Sequence, residues 1–112
     1  MEQVRVQPNG RIWLEIAGKN FLGQGRAELL EKIEGFGSLR KAAGSMGMSY
    51  RKAYYTIQSM NQLVSSPLVT FTHGGKGGGN ALITPAGKLY LNQFRLFEKD
   101  FENFLSEQTK II

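Results

Sequence analysis

The sequence predicts a single α+β domain, and three patterns in it support this class. Apolar residues recur at helical spacing through the middle of the chain, two short strand-like runs follow, and a long helical pattern completes the sequence. The chain has 112 residues, of which 41% are hydrophobic and 21% are charged. This composition is typical of a globular domain and provides enough apolar surface for a compact core.

The first 24 residues are predicted to form a β-hairpin. Two β-prone runs, at positions 4–7 and 12–16, flank the turn-forming sequence PNGR at 8–11. Apolar and other residues alternate through the second run, so one of its faces is expected to be buried. Trp13 is interpreted as a packing residue and not as a stacking platform.

Three helices are predicted next. The helical spacing begins near Gly25, and Gly35 and Gly37 are expected to end the first helix. Ser38 and Ser49 each precede a further helical segment, and a serine oxygen in this position can accept a hydrogen bond from the first turn. Two short helices joined by a tight glycine-containing turn form a helix-turn-helix pattern.

The third helix has the features of a recognition helix. Within it, Ala53, Ile57 and Met60 form a stripe that faces the core, and Tyr54 beside them is expected to be largely buried. Polar and cationic side chains occupy its leading end and opposite face, namely Ser49, Tyr50, Arg51, Lys52, Tyr55, Ser59 and Gln62. Such groups suit reading of base edges in a major groove. A merely solvated face is the alternative.

Strand candidates at 68–72 and 81–83 flank the sequence HGGKGGGN. A hairpin directly after a helix-turn-helix has the position of the wing in a winged helix. Glycines at its tip would expose backbone N–H groups to phosphate oxygens, with Lys76 as a point charge and His73 and Asn80 as hydrogen-bonding side chains. A nucleotide-binding P-loop is excluded, because Lys76 precedes a glycine and the loop opens a strand. A flexible linker conflicts with the strand-like flanks.

The last predicted helix is capped by Thr84 and Pro85 and runs from 88 to about 107. It carries aromatic residues at spacings of 4, 3, 4 and 3, namely Tyr90, Phe94, Phe97, Phe101 and Phe104. This is a heptad seam, on a helix ~30 Å long that outruns so small a domain. Its early rings are expected to close the core. A dimer interface with a second copy is assigned to Phe94, Phe97, Phe101 and Phe104. The predicted organisation is therefore a hairpin at 1–24, a winged helix-turn-helix at 25–87 and a dimerisation helix at 88–112.

Charge is distributed unevenly along the chain. The net charge is +5, yet no acidic residue lies between Glu34 and Glu98, so this interval is +7 and the flanks together are −2. Its seven cations are Arg40, Lys41, Arg51, Lys52, Lys76, Lys88 and Arg95. Such an interval favours a surface that binds polyanions, with chance segregation as the alternative. Double-stranded DNA is the expected partner, contacted by Ser38, Arg40, Ser49, Tyr50, Arg51, Lys52, Tyr55, His73, Lys76 and Asn80.

Several other classes of protein are not expected. No apolar run approaches the ~20 residues that span a bilayer, and the N-terminus lacks the order of a secretion signal. The absence of cysteine favours a reducing, cytoplasmic location, and with one histidine it argues against a structural metal site. No cofactor is expected. His73 has no nucleophile or orienting carboxylate nearby in sequence, so the chain is not expected to be an enzyme. A protein-interaction module for an acidic partner remains the alternative to DNA binding.

The runs GSLRKAAGSMGMSYRKAYYTIQSMN and GGKGGGNALITPAGKLYL resemble the N-terminal DNA-binding domain of ModE-type regulators. These are molybdate-responsive, LysR-like bacterial transcriptional regulators, and the resemblance covers roughly residues 12–104. It implies a homodimer on a palindromic operator, with Ser49, Tyr50, Arg51 and Lys52 in the major groove and Lys76 on the backbone or minor groove. Longer relatives bind the oxyanion in C-terminal domains. Molybdate is therefore not expected to bind this chain, which is either a stand-alone member or a fragment.

Overall fold

The computed structural model of the chain describes residues 2–72 and 80–112. Four α-helices and three two-stranded antiparallel sheets lie within these residues, which confirms the predicted α+β class. In chain order they are β1 (Arg5–Val6), β2 (Leu14–Ile16), β3 (Lys19–Leu22), α1 (Gln24–Phe36), α2 (Leu39–Ser45), α3 (Tyr50–Asn61), β4 (Val69–Thr72), β5 (Asn80–Ile83), α4 (Pro85–Glu107) and β6 (Lys110–Ile111).

The N-terminal strands pair differently from the prediction. The hairpin consists of β2 and β3, joined by Ala17 and Gly18 with φ of 51° and 78°. Two consecutive positive φ values give the tight turn whose twist matches that of the flanking strands. The run at 4–7 does not pair with 12–16, because β1 pairs instead with β6, with Arg5 opposite Ile111. The interpretation of Trp13 as a packing residue is also wrong, because 55% of its surface is exposed.

The helix boundaries follow from local capping, as predicted. Ser38, Ser49 and Thr84 each accept a hydrogen bond from the backbone N–H three residues later, at distances between 2.9 and 3.2 Å. Gly37, with φ of 64°, ends α1 in the left-handed conformation. Pro85 is the first residue of α4, so this helix begins three residues before the predicted start at 88. It ends at Glu107, and the rest of the predicted dimerisation helix contains β6 instead.

The core lies where α1, α2, α3 and the first half of α4 meet the strands β3, β4 and β5. The predicted stripe on α3, Ala53, Ile57 and Met60, is fully buried. Phe94 of α4 is also fully buried. Deletion of such a ring would leave a cavity that the surrounding side chains fill only in part.

The sheet of β4 and β5 is fixed to the start of α4 by a very close contact. Thr84 Oγ1 donates a hydrogen bond to the Pro67 carbonyl at 2.6 Å, and Thr84 N donates to the Leu68 carbonyl at 2.9 Å. Gly87 lies against the same carbonyl, so that a Cβ added there would be 2.3 Å from the Leu68 oxygen. Glycine is therefore required at this position, and the hairpin and α4 form one packed unit.

The second half of α4 extends beyond the core, and the molecule is 69 Å long. There the N-terminal segment runs beside the helix, and Gly10 lies so close to the Phe101 ring that an added Cβ would be 3.2 Å from its Cζ. The sheet of β1 and β6 follows the end of α4, with backbone hydrogen bonds of 2.8 Å in both directions between Val4 and Ile112.

The aromatic seam of α4 does not face one partner. Phe94 was predicted at the dimer interface, but it is fully buried in its own chain and cannot contact a second copy. Phe101 is half-buried, whereas Phe97 and Phe104 are 45% and 54% exposed. Phe97 lies about 60° around the helix from Phe94, and Phe101 and Phe104 lie in the half of α4 that extends beyond the core.

None of the helices in residues 2–72 and 80–112 combines the length and apolar character needed to cross a membrane.

Candidate nucleic-acid interface

The candidate interface is built on the pair of helices α2 and α3. Gly47, with φ of 65°, turns the chain between them, and the backbone N–H groups of Met46 and Met48 both donate to the Ala43 carbonyl. Small residues, Ala43 of α2 and Ala53 of α3, are fully buried in the core beneath. This compact turn holds the N-terminal end of α3 in a fixed position beside α2.

The side chains at the start of α3 that are predicted to contact DNA are exposed. Arg51 and Lys52 are exposed, and Tyr50 and Tyr55 are 44% and 58% exposed. Ser38 and Ser49 lie at the starts of α2 and α3, where their side chains act as the caps. Contacts within this region join Arg40 of α2 to Tyr50 of α3, and Arg51 to Tyr55.

Carboxylates are absent from this surface. The sequence has none in α2, α3, β4 or β5. Within the part of the chain that the structure describes, the ion pairs involve none of the cations of α2 and α3, which are Arg40, Lys41, Arg51 and Lys52. These four side chains therefore keep their charge available for an external anion.

The seven cations between Glu34 and Glu98 do not, however, all belong to one cationic surface. Arg95 donates hydrogen bonds to Glu31 and, at 2.6 Å, to Glu98. The hydrogen bond with Glu31 is the main cause that raises the pKa of Arg95 above its ordinary value. Lys88 lies 3.6 Å from Glu34. Two of the seven cations thus belong to ion pairs between α4 and α1, and the prediction of a continuous cationic surface is wrong for them.

Both arginines of the candidate interface lie over tyrosine rings. The guanidinium carbon of Arg40 is 5.1 Å from the ring centroid of Tyr50, and that of Arg51 is 5.7 Å from that of Tyr55. Both distances are within the range of a cation–π interaction. The first pair joins α2 to α3, whereas the second lies within one turn of α3.

Tyr54 connects these rings to the rest of the fold. It stacks on Tyr50 with centroids 6.3 Å apart, meets Tyr55 edge to face at 5.9 Å, and lies 5.6 Å from Phe71 of β4. Its hydroxyl accepts a hydrogen bond of 2.7 Å from Gln58 Nε2. Tyr54 packs against the core and is largely buried, as predicted, and it lies between the core and the exposed tyrosines.

Arg26 of α1 contacts α3 through Ser59, and this contact was not predicted from the sequence. Its guanidinium donates to the carbonyls of Asn20 and Phe21 at 2.9 and 3.2 Å and to Ser59 Oγ at 3.3 Å. Burial lowers the pKa of Arg26 from its ordinary value. Ser59 was predicted on the exposed face of α3, but it is half-buried and contacts Arg26, which lies 33 residues away in sequence.

Asn61 fixes the C-terminal end of α3. Its Oδ1 accepts a hydrogen bond of 2.8 Å from the Leu68 N–H, and its Nδ2 donates to the Val69 carbonyl at 3.1 Å. The end of α3 and the start of β4 are thereby held together.

The wing is described in part. Strands β4 and β5 pair in register, with Thr72 opposite Asn80, and Asn80 is exposed at the start of β5. His73 and Lys76 lie outside the described residues, so their predicted contacts with DNA stay predictions.

A helix-turn-helix followed by a two-stranded hairpin and a long helix defines a winged helix-turn-helix protein. No protein-family model matches the chain. It is 38% identical over 89 residues to the molybdenum-pterin-binding protein MopB of Rhodobacter capsulatus. It is 37% identical over 85 residues to the DNA-binding transcriptional dual regulator ModE of Escherichia coli K12, and 36% over 84 residues to the molybdenum transport protein ModE of Azotobacter vinelandii.

These matches cover 80%, 76% and 75% of this chain but 33%, 32% and 31% of the respective relatives. They confirm the resemblance predicted from the sequence, and the matched region of the chain is of the ModE type. The chain spans about a third of the length of the curated relatives it matches.

Proposed function

We propose that the chain is a transcriptional regulator that binds a specific double-stranded DNA sequence as a homodimer, with α3 in the major groove. The observation that carries the proposal is the exposed N-terminal end of α3, where Arg51 and Lys52 have no carboxylate partner among the described residues. Similarity to ModE of Escherichia coli, a DNA-binding transcriptional dual regulator, supports the same function.

The two helices would contribute different kinds of contact. The leading residues of α3 would reach base edges, and the bidentate fork of Arg51 matches the O6 and N7 acceptors of guanine. Arg40 on α2 would meet the phosphate backbone, as the first helix of such a pair does. Release of counterions from the phosphates would supply affinity without sequence preference.

The proposed dimer uses an apolar stripe on α4. Four residues on one side of this helix are exposed by 45–59%, and they are Leu89, Leu96, Phe97 and Phe104. A two-fold interface buries the same surface on both copies, so the stripe would pack against itself. Of the four residues assigned to the interface from the sequence, Phe97 and Phe104 stay, and the two leucines join them. Phe94 leaves it because it is buried, and Phe101 leaves it because its ring packs against Gly10 of its own chain.

The base-reading role is tested by the substitution Arg51→Ala. The variant is expected to lose about 1–3 kcal/mol of binding free energy for the cognate duplex and almost nothing for random duplex, because the lost contact is to a base. The cognate site is first selected from a pool of random-sequence duplexes, and affinities are measured by fluorescence anisotropy. An equal loss on both duplexes would refute the role of Arg51 in base reading.

Arg40→Ala tests the phosphate contact and serves as the counterpart of that experiment. Affinity for cognate and random duplex is expected to fall alike, and the slope of log K against log salt to become shallower by about one unit. A titration series at several salt concentrations measures the slope. An unchanged slope would remove Arg40 from the backbone contacts.

Binding to bulk duplex separates the proposal from its alternative. The wild-type chain is expected to bind any duplex at low salt, since the nonspecific contribution is electrostatic. Failure to bind any duplex under these conditions would instead favour a module that associates with an acidic protein.

A further inference from the structure

The two arginines at the candidate interface lie over tyrosine rings, and the tyrosines themselves are exposed. We propose that Tyr55 and Tyr50 are positioning residues, which hold the guanidinium groups of Arg51 and Arg40 in the orientation used for DNA. This inference rests on the proposed function for its effect on DNA binding. The stacking itself is a property of the free protein.

The face of an aromatic ring can orient an arginine whose N–H donors must stay free to bind DNA. An exposed arginine samples many rotamers, and a complex must fix one of them at an entropic cost. A carboxylate partner would fix it too, but would occupy N–H donors that a base or a phosphate requires. The face of Tyr55, 5.7 Å from the Arg51 guanidinium carbon, attracts the cation and leaves its donors in the guanidinium plane free.

The rings can do this because the fold fixes them. Tyr54 packs between Tyr50, Tyr55 and the wing-strand residue Phe71, with centroid distances of 6.3, 5.9 and 5.6 Å. The hydrogen bond from Gln58 fixes the Tyr54 hydroxyl at 2.7 Å. The orientation of the exposed tyrosines is therefore set from inside the domain.

The pair of Arg40 and Tyr50 also links the two helices on either side of the turn. Arg40 belongs to α2 and Tyr50 to α3, and the guanidinium carbon lies 5.1 Å from the ring centroid. The pair therefore fixes Arg40, which is expected to contact the phosphate backbone, relative to α3, which is expected to lie in the major groove. Tyr54, which packs on Phe71 of β4, thus supports the tyrosine ring beneath each of the two arginines.

The test compares Tyr55→Leu, which removes the ring, with Tyr55→Phe, which keeps it. Each substitution is made in the wild-type chain and in the Arg51→Ala chain, and binding to the selected cognate duplex is measured by anisotropy. Tyr55→Leu is expected to weaken binding about three-fold in the wild-type chain, the size of an exposed cation–π interaction. Tyr55→Phe is expected to stay near wild type, and Tyr55→Leu to have no effect once Arg51 is absent.

Two results would overturn the inference. One is a loss from Tyr55→Leu that is as large in the Arg51→Ala chain as in the wild-type chain. The other is a loss from Tyr55→Phe that equals the loss from Tyr55→Leu, since the hydroxyl and not the ring would then be the important group. Thermal unfolding of each variant checks the fold, and little change is expected because Tyr55 is 58% exposed.

A measurement without DNA keeps the inference separate from the proposed function. In the NMR spectrum of the free chain, the Arg51 side-chain protons are expected to show an upfield ring-current shift, which Tyr55→Leu abolishes and Tyr55→Phe retains. Absence of the shift would overturn the inference even if DNA binding is found. A wild-type chain that shows the shift but binds no duplex would overturn the proposed function and still support the stacking. The same substitutions at Tyr50, in an Arg40→Ala background, test the second pair.

Discussion

Replacement of Phe94 by alanine is expected to lower the free energy of unfolding by about 3–5 kcal/mol. The ring is fully buried in the core cluster, with no part left to solvent. Its removal would cost both the transfer free energy of the ring and the unfilled space around it. Urea denaturation followed by circular dichroism, at several protein concentrations, measures the change. The concentration series is needed because any dimerisation stabilises the folded chain.

Phe104→Ala is the matched control, since it removes the same ring from the exposed side of the same helix. Phe104 is 54% exposed, so the substitution is expected to cost the folded monomer about 0.5 kcal/mol or less. It is expected to weaken the proposed dimer, which sedimentation equilibrium measures. If Phe94→Ala left stability unchanged and abolished dimerisation, the assignment of Phe94 to the core would be wrong.

Gly87→Ala is expected to destabilise the fold by about 3 kcal/mol, at the upper end of the range for overpacked sites. The added Cβ would lie 2.3 Å from the Leu68 carbonyl oxygen and 2.8 Å from Ile83 Cγ1. The isoleucine side chain can adjust, but the Leu68 carbonyl accepts the hydrogen bond from Thr84 N and cannot move without breaking it. The wing hairpin and α4 would have to separate. Chemical denaturation measures the loss.

Gly35→Ala provides the comparison for this prediction. Gly35 lies inside α1, and an added Cβ would meet no atom within 4 Å. Alanine is the better helix former, so this variant is expected to gain about 0.5–1 kcal/mol. Equal tolerance of alanine at Gly87 and Gly35 would contradict the close packing of the wing against α4.

The parts of the fold that depend on neighbours in sequence were predictable. Ser38, Ser49 and Thr84 mark helix starts because each cap bonds to an N–H only three residues away. The buried stripe of α3 follows from its helical period in the same way. Local chemistry thus determined where the helices begin and which side of α3 faces the core.

Features that depend on distant pairing were not predictable. Arg95 finds Glu31 at a separation of 64 residues, and this contact removed Arg95 from the expected DNA surface. The regular spacing on α4 predicts one stripe, but it does not show that the second half of the helix extends beyond the core. Phe94 and Phe104 therefore face different surroundings, although both fit the same repeat.

The candidate site was predicted in its residues but not in their arrangement. The exposure of Arg51 and Tyr55 follows from their place opposite the apolar stripe of α3. The stacking of Arg40 on Tyr50 does not, because the angle between α2 and α3 sets it. Arg26 was missed altogether, since its partner Ser59 is 33 residues away.

The pairing of β1 with β6 joins segments from the two ends of the chain, since Arg5 lies opposite Ile111. Closing a loop of this length in the unfolded chain costs conformational entropy, and the two strands that offset this cost are short and exposed. These strands are therefore expected to form late in folding and to open first in the native state, with rapid amide exchange. The far end of α4 would then fray while the helix-turn-helix stays intact.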